Sequence, residues 1–213
     1  MTRLWWLEPS TVPVVPERLT PDERAQYARF IPDRKRHEYL CTRLLVKHVL
    51  GDERLTLNEY GRPLCADHPQ RRFNITHTDG LILLLESDEH EVGVDVELVS
   101  RAPTLLRLAP DVFAPRELAD LNALPESERA QRAVTLWTLK ESYIKARGLG
   151  LALKLQGFAF RFDEPVTRLD ASDDDGARWQ FETFRMGEHL VSTALDRPAS
   201  EPVRVDRHQA VIA

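Results

Sequence analysis

Cysteine is scarce: Cys41 and Cys65 are the only two in a chain of 213 residues. That leaves no material for a disulfide framework or an all-thiolate zinc site, and both are expected to be plain core or surface thiols. Long apolar runs are missing too. The amino-terminal stretch MTRLWWLEPSTVPVV is broken at Glu8 and Pro9, too short for an export signal or a membrane span, so a soluble cytoplasmic protein is expected. There is no general excess of positive charge either. The formal net charge is -5, which argues against a protein that coats nucleic acid.

What charge there is lies unevenly. Residues 1–75 hold 13 basic and 10 acidic side chains, while the remainder holds 16 and 24. A basic first half suits a small anionic ligand, with ordinary solvated surface charge as the bland alternative. A hydrophobic content of 42% over this length is enough for a real core, in one large domain or two small ones.

Periodicity divides the chain into short elements. Leu4 to Leu7 reads as a strand and Pro21 to Phe30 as a helix. A second helix starts at Asp33 as N-cap, carries Tyr39, Leu40, Leu44, Leu45, Val49 and Leu50 at helical spacing, and stops at Gly51. Arg36, Arg43 and Lys47 share one stripe of it, with no equally clear acidic stripe to partner them. Strands are expected at Leu55 to Leu57, Phe73 to Thr78, Leu81 to Glu86 and Val92 to Leu98, with a turn around Gly61 and Pro63. Thr104 to Arg147 reads as helical with breaks near Pro110, Pro115 and Pro125. Strands return at Leu151 to Leu155, Phe158 to Phe162, Arg178 to Phe184 and His189 to Leu195, the last two forming a hairpin. Asp170 to Gly176 is expected to be an exposed acidic loop, and the tail after Pro198 to be poorly ordered. Strands and helices in each half, without strict alternation, indicate an α+β fold with antiparallel sheet. No sequence repeat relates the halves.

Three segments carry chemistry. In Val92-Gly-Val-Asp-Val-Glu-Leu98 the strand period puts Asp95 and Glu97 on one face. About 6.6 Å of rise separates them, so both can serve one hard cation. Gly93 on that face leaves room for phosphates to approach the backbone. The alternative is a half-buried strand with an acidic wet face. In the helix ending at Gly148, Lys140 and Glu141 fall inside a broad apolar arc that includes Leu136, Leu139 and Tyr143. Charges placed there need a metal, an anion or another partner, because an unpaired buried charge costs several kcal/mol. A surface salt bridge from Glu141 to Lys145 accounts for Lys145 but not for Lys140. In Phe73-Asn-Ile-Thr-His-Thr78, hydroxyls flank His77 and can bond phosphate oxygens, although a histidine alone is more often a satisfied core residue.

Gly61-Arg62-Pro63, FNITHT, VGVDVE, FAPRELADL from Phe113 and WTLKESYIKARGLGL from Trp137 follow one another in an order and spacing that resemble the Sfp-type (group II) 4'-phosphopantetheinyl transferases. The match is strong over residues 61–151 and weak beyond. The resemblance implies two pseudo-symmetric α/β subdomains with antiparallel sheets and the active site in the cleft between them. Residues 1–92 would form the coenzyme A-binding subdomain, and residues 93–213 the one with the metal-binding and catalytic residues. It implies transfer of the phosphopantetheine arm of coenzyme A to a serine of an apo acyl or peptidyl carrier protein, releasing adenosine 3',5'-bisphosphate, with Mg²⁺ as cofactor or Mn²⁺ in its place. Asp95, Glu97 and Glu141 match the metal-binding carboxylates, Lys145 a lysine near the transferred phosphate, and Thr76 and His77 contacts to the coenzyme's phosphates. Lys140 joins the coenzyme-binding set, and Glu117 matches a carboxylate near the metal. Arg62 stands where the family often has a lysine, exchanging a point charge for a fork. Glu38 stands where many relatives carry an arginine, so Arg36 or Arg43 is expected to meet the 3'-phosphate. Catalysis would rest on Asp95, Lys145 and Glu141, with Glu141 or a metal-bound water taking the serine proton. A monomer is expected, with coenzyme A and the carrier protein as partners and neither nucleic acid nor membrane. The competing readings are a metal-dependent nuclease, whose E-x-K spacing is missing after Asp95, and a non-enzymatic coenzyme A-binding module.

Overall fold

Strand, helices, small ribbon, hairpin: the chain runs through this series of elements twice in the computed structural model, which describes residues 1–51, 53–163, 166–171, 173–198 and 200–212. The first series comprises β1 (Thr2–Leu7), α1 (Pro21–Tyr27), α2 (Asp33–Leu50), the ribbon β2 (Leu55–Leu57) and β3 (Pro63–Cys65), and the hairpin β4 (Arg72–Thr78) and β5 (Leu81–Ser87). The second comprises β6 (Val92–Leu98), α3 (Ala102–Val112), α4 (Pro115–Ala123), α5 (Glu126–Arg147), the ribbon β7 (Phe158–Asp163) and β8 (Val166–Ala171), and the hairpin β9 (Trp179–Met186) and β10 (His189–Asp196). Strand order repeats as well: β1-β5-β4 in one sheet, β6-β10-β9 in the other, all antiparallel. The α+β architecture and its two-fold repetition of topology are therefore present without any repeat in sequence.

Strand alternation decides the layering. Ile82 and Leu84 of β5 face Leu40, Leu44 and Leu45 of α2, while Leu81, Leu83 and Leu85 face Val92, Val94 and Val96 of β6. The two sheets thus pack on each other, with α2 covering the outer side of the first. On the second sheet, Leu136, Leu139 and Tyr143 of α5 lie against Phe158, Phe160 and Leu190. No helix among the described residues is long and apolar enough to cross a membrane.

Several expectations need correction. A fourth strand, β11 (Asp206–Gln209), pairs in parallel with β1, so the carboxyl-terminal segment completes the first sheet where a loose tail was expected. Leu151 to Leu155 forms no strand; 3-10 turns occupy Gly150–Ala152 and Leu155–Gly157, and Lys140 takes the carbonyls of Leu155 and Phe158 that a ladder would need. Pro110 lies inside α3 without ending it. The N-cap of α2 is Pro32, and Asp33 sits in its first turn, where a negative charge suits the helix dipole. The acidic run Asp170 to Gly176 is not simply exposed. Asp174 turns inward to accept from Tyr143 Oη at 2.9 Å, Trp179 Nε1 at 2.8 Å and Arg147 Nη1 at 3.0 Å, while Ser172 lies outside the described residues.

Candidate active site

β4 and β6 are edge strands, one from each sheet, and no ladder joins them. Their free polar groups are met by side chains. Asn74 Oδ1 accepts Val94 N–H at 3.0 Å, and Thr76 Oγ1 donates to Asp95 Oδ1 at 3.1 Å. Thr78 Oγ1 lies 3.5 Å from Glu97 Oε2. Asn74, Thr76 and Thr78 occupy alternate positions of β4, so one face of that strand addresses the acidic face of β6. An edge strand exposes unpaired amides, and here that of Val94 binds the other half of the molecule.

The third wall is α5, which can approach closely because Gly93 has no side chain. A Cβ there would collide with Ser142 O and come within 2.6 Å of Ala146 N. Gly93 therefore makes room for a helix, and the expected space for phosphates at this residue is filled by protein. From α5, Lys145 Nζ reaches Asp95 Oδ1 at 2.6 Å, Thr76 Oγ1 at 3.0 Å and Val94 O at 3.3 Å. Glu141, one turn earlier, has its pKa raised by burial and then by the charge of Asp95, against the pull of Lys145. Burial, opposed by Arg101, likewise raises Glu97. Asp95 is only 6% exposed, and its Oδ2 has no hydrogen-bond partner.

Three neighbouring carboxylates offset by Lys145 and, at the edge, by Arg101 at 3.6 Å from Glu97 leave local negative charge, and the orphan Asp95 oxygen needs a donor or a cation. Among the described residues no three acidic, histidine or cysteine groups close into a metal cage. The arrangement fits a small hard dication bound through few carboxylates, with water and substrate oxygens filling the other positions.

Arg62, at the tip of the β2–β3 ribbon, closes the cleft from the first half. Its Nη1 donates to Ala146 O at 2.9 Å and its Nη2 lies 2.6 Å from Glu91 Oε2. Asn58 Nδ2 also bonds Gly148 O at 2.8 Å, so the ribbon caps the end of α5, which stops at Gly148 with φ 65° as a left-handed cap requires. Between the halves lies a cleft of about 360 Å³ lined by Arg62, Pro63, Asn74, Glu141, Lys145 and Leu155, among others.

Other expected site residues are placed differently. Lys140 is wholly buried: Glu117 Oε2 lies 2.8 Å from its Nζ, and Leu155 O and Phe158 O accept at 2.7 Å. Its three donors are spent, so it is not available to a coenzyme phosphate, and Glu117, equally buried, is not available to a metal. Arg43 and Lys47 share Glu23 of α1, at 2.7 and 2.9 Å, which supplies the acidic partner the helix stripe lacked in sequence. Arg36 bonds Asp33 Oδ1 at 3.0 Å and Ile31 O at 3.3 Å. His77 points away from Thr76, toward α2, with Nδ1 3.1 Å from Glu38 Oε1. Burial lowers the His77 pKa, against the opposing charge of Glu38. Sequence reasoning passed over Asn74 and the contact of Glu38 with His77, and read Thr78 as a donor to phosphate where it lies against Glu97. The alternation Asn74, Thr76, Thr78 was a signal for Asn74; nothing local foretold the contact of Glu38 with His77.

The model of the 4'-phosphopantetheinyl transferase superfamily matches residues 91–194. Over 154 residues the chain is 32% identical to 4'-phosphopantetheinyl transferase Sfp of Bacillus subtilis, covering 68% of this chain and 67% of that one. To the L-aminoadipate-semialdehyde dehydrogenase-phosphopantetheinyl transferase of Rattus norvegicus it is 24% identical over 236 residues, covering 97% of this chain and 75% of the other. Among solved structures, a holo-(acyl-carrier-protein) synthase from Bacillus anthracis in complex with CoA (3',5'-ADP) aligns with a TM-score of 0.44 and 17% identity, over 49% of this chain and 93% of that one. The alignment with Sfp spans about two thirds of each chain.

Proposed function

The chain belongs to the Sfp-type 4'-phosphopantetheinyl transferases, and from that premise we propose that Asp95, Glu97 and Glu141 hold its metal ion and that Asp95, Glu141 and Lys145 carry catalysis. It is an enzyme that moves the 4'-phosphopantetheine arm of coenzyme A to a carrier-protein serine, which displaces the nuclease and non-enzymatic readings. The observation that supports the site is the meeting of β4, β6 and α5 at Asp95, where Thr76 and Lys145 both donate to one carboxylate oxygen.

The reaction breaks the bond between the β-phosphorus and the bridging oxygen of the pyrophosphate and forms one to the serine oxygen. Negative charge builds on the leaving oxygen, and positive charge set beforehand in a cleft lowers that barrier. When bound, Mg²⁺, or Mn²⁺ in its place, supplies charge neutralisation beside the pyrophosphate. Lys145 adds a cation from α5, and Thr76 of β4 fixes both partners by donating to Asp95 and accepting from Lys145. Arg62 borders the same cleft and places a guanidinium on the coenzyme's side of it. The serine must lose its proton. Glu141 is suited to accept it, directly or through a water, because burial and then the charge of Asp95 raise its pKa and so strengthen it as a base.

In this reading residues 1–92 form the coenzyme-binding half and residues 93–213 contribute the carboxylates and the lysine. The enzyme works as a cytoplasmic monomer, a compartment supported by two buried cysteines that stay free. Incubating apo carrier proteins with coenzyme A and Mg²⁺ and weighing them intact tests the whole reading. A gain of one phosphopantetheine arm that needs both the metal and Asp95 is expected. No gain across acyl and peptidyl carriers, or an equal gain with Asp95→Ala, would overturn it.

A further inference from the structure

The contacts that join β4 to β6 lengthen toward the carboxyl end of β4. Asn74 Oδ1 meets Val94 N–H at 3.0 Å and Thr76 meets Asp95 at 3.1 Å, but Thr78 Oγ1 stands 3.5 Å from Glu97 Oε2. The chain then turns at Asp79 and Gly80, and a side chain of the second half takes hold of it there. His189, the first residue of β10, bonds Asp79 O through Nε2 at 2.8 Å, while its Nδ1 lies 3.2 Å from Met186 O at the end of β9. The ring lies beside Gly80, where a Cβ would come 3.9 Å from Cε1.

A carbonyl oxygen only accepts hydrogen bonds, so the contact with Asp79 O requires a proton on Nε2. A ring that also carries one on Nδ1 serves Met186 O as well. Either way, the imidazole ties the β4–β5 turn of the first half to the β9–β10 turn of the second. Both turns border Glu97. On one side, His189 is the ladder partner of Leu98, the residue after Glu97, and Glu188 O accepts Val99 N–H at 3.0 Å. On the other, Asp79 directly follows Thr78, whose hydroxyl faces the Glu97 carboxylate. The Asp79 carboxylate has its own neighbour, Arg34 Nη1 of α2 at 3.4 Å, but both side chains are more than half exposed and such a pair holds weakly. The bond from His189 is the firmer hold on the turn.

We propose that His189 is a positioning residue for the metal end of the cleft: by holding Asp79 O it keeps Thr78 against Glu97 and so fixes the Glu97 carboxylate for the cation. This rests on the reading of Glu97 as a metal ligand. The opposite end of the cleft supplies a comparison, because Asn58 Nδ2 also ties the two halves, bonding Gly148 O at 2.8 Å at the end of α5.

Two measurements test it. The first is the ¹⁵N spectrum of the His189 ring in the wild-type protein, which needs no variant; a proton on Nε2 is expected, and the neutral Nδ1–H tautomer overturns the proposal. The second is a Mn²⁺ titration, followed by the electron paramagnetic resonance of the free ion, with coenzyme A saturating. His189→Ala should bind Mn²⁺ about threefold to tenfold more weakly, the loss expected for one hydrogen bond. Coenzyme A binding with divalent metal chelated should stay within about twofold of wild type. Adding His189→Ala to Glu97→Gln should weaken Mn²⁺ binding no further than Glu97→Gln alone, since His189 acts through that carboxylate. Asn58→Ala should leave Mn²⁺ binding within about twofold. Unchanged Mn²⁺ binding in His189→Ala, additive losses in the double variant, or an equal loss in Asn58→Ala overturns the proposal while the metal reading stands. Unchanged Mn²⁺ binding in Glu97→Gln instead overturns the reading of Glu97 as a ligand, and the proposal with it.

Discussion

Lys140 Nζ lies 2.8 Å from Glu117 Oε2, and neither side chain has any solvent exposure. Glu117 also accepts Ala114 N–H and Phe160 N–H, each at 2.8 Å, so the pair ties α4, α5 and β7 together beneath the wall of the cleft. Burial lowers the Lys140 pKa and Glu117 opposes it. Removing one member strands a buried charge. Lys140→Met and Glu117→Leu should each lose about 3–5 kcal/mol of stability in urea unfolding, with part recovered when both are made together. A loss below about 1 kcal/mol in either single variant would show that the pair does not hold the half together.

Asp95→Ala and Glu141→Ala should abolish arm transfer while the circular dichroism spectrum stays that of a folded protein. Each takes one of the carboxylates from the proposed metal site, which then keeps neither its geometry nor its charge. Transfer at the wild-type rate under saturating Mg²⁺ would remove that residue from the site.

Lys145 is bound to Asp95, Thr76 and Val94 O, so a stability effect and a rate effect have to be separated. Lys145→Ala should lower kcat/KM at least about 100-fold, about 2.7 kcal/mol of transition-state stabilisation. The stability loss should be smaller, about 1–2 kcal/mol, because Thr76 still donates to Asp95. Equal losses in the two measurements would mean that Lys145 is only a structural partner of Asp95.

Glu23 of α1 responds to pH through α2. Burial raises its pKa, but Lys47, the Thr20 amide and Arg43 outweigh that and bring it from 4.5 to about 2. Its folded-state pKa is depressed, so the stabilisation is fully present above the unfolded value near 4.5 and is lost as the pH falls through about 2. Glu23→Gln should cost about 1.5–3 kcal/mol at pH 7. Urea unfolding of both proteins between neutral and acid pH checks the sign: the gap should narrow as the pH falls below 4.5. A gap that stays constant or widens would rule out the ion pairs as its source.

Local periodicity in the sequence determined β6, with Asp95 and Glu97 together on one face, and the helix that ends at Gly148 with Glu141 and Lys145 one turn apart. Those relations depend only on repeats of 2 and 3.6 residues and on the left-handed conformation that glycine tolerates, all of which act over a few neighbouring positions. The placement of Lys140 and Glu141 in an apolar arc signalled unusual charges, but the arc alone could not say which would face the cleft and which the core. Packing decided that, by bringing Glu117 and the carbonyls of Leu155 and Phe158 to Lys140 and leaving Glu141 beside Asp95. Packing also gave Arg43 its partner in Glu23, His77 its partner in Glu38, and β1 a fourth-strand neighbour from the far end of the chain. A charged side chain bonds whatever acceptor the assembled elements bring within about 3 Å, and that choice is made by the fold as a whole, beyond the reach of any local repeat.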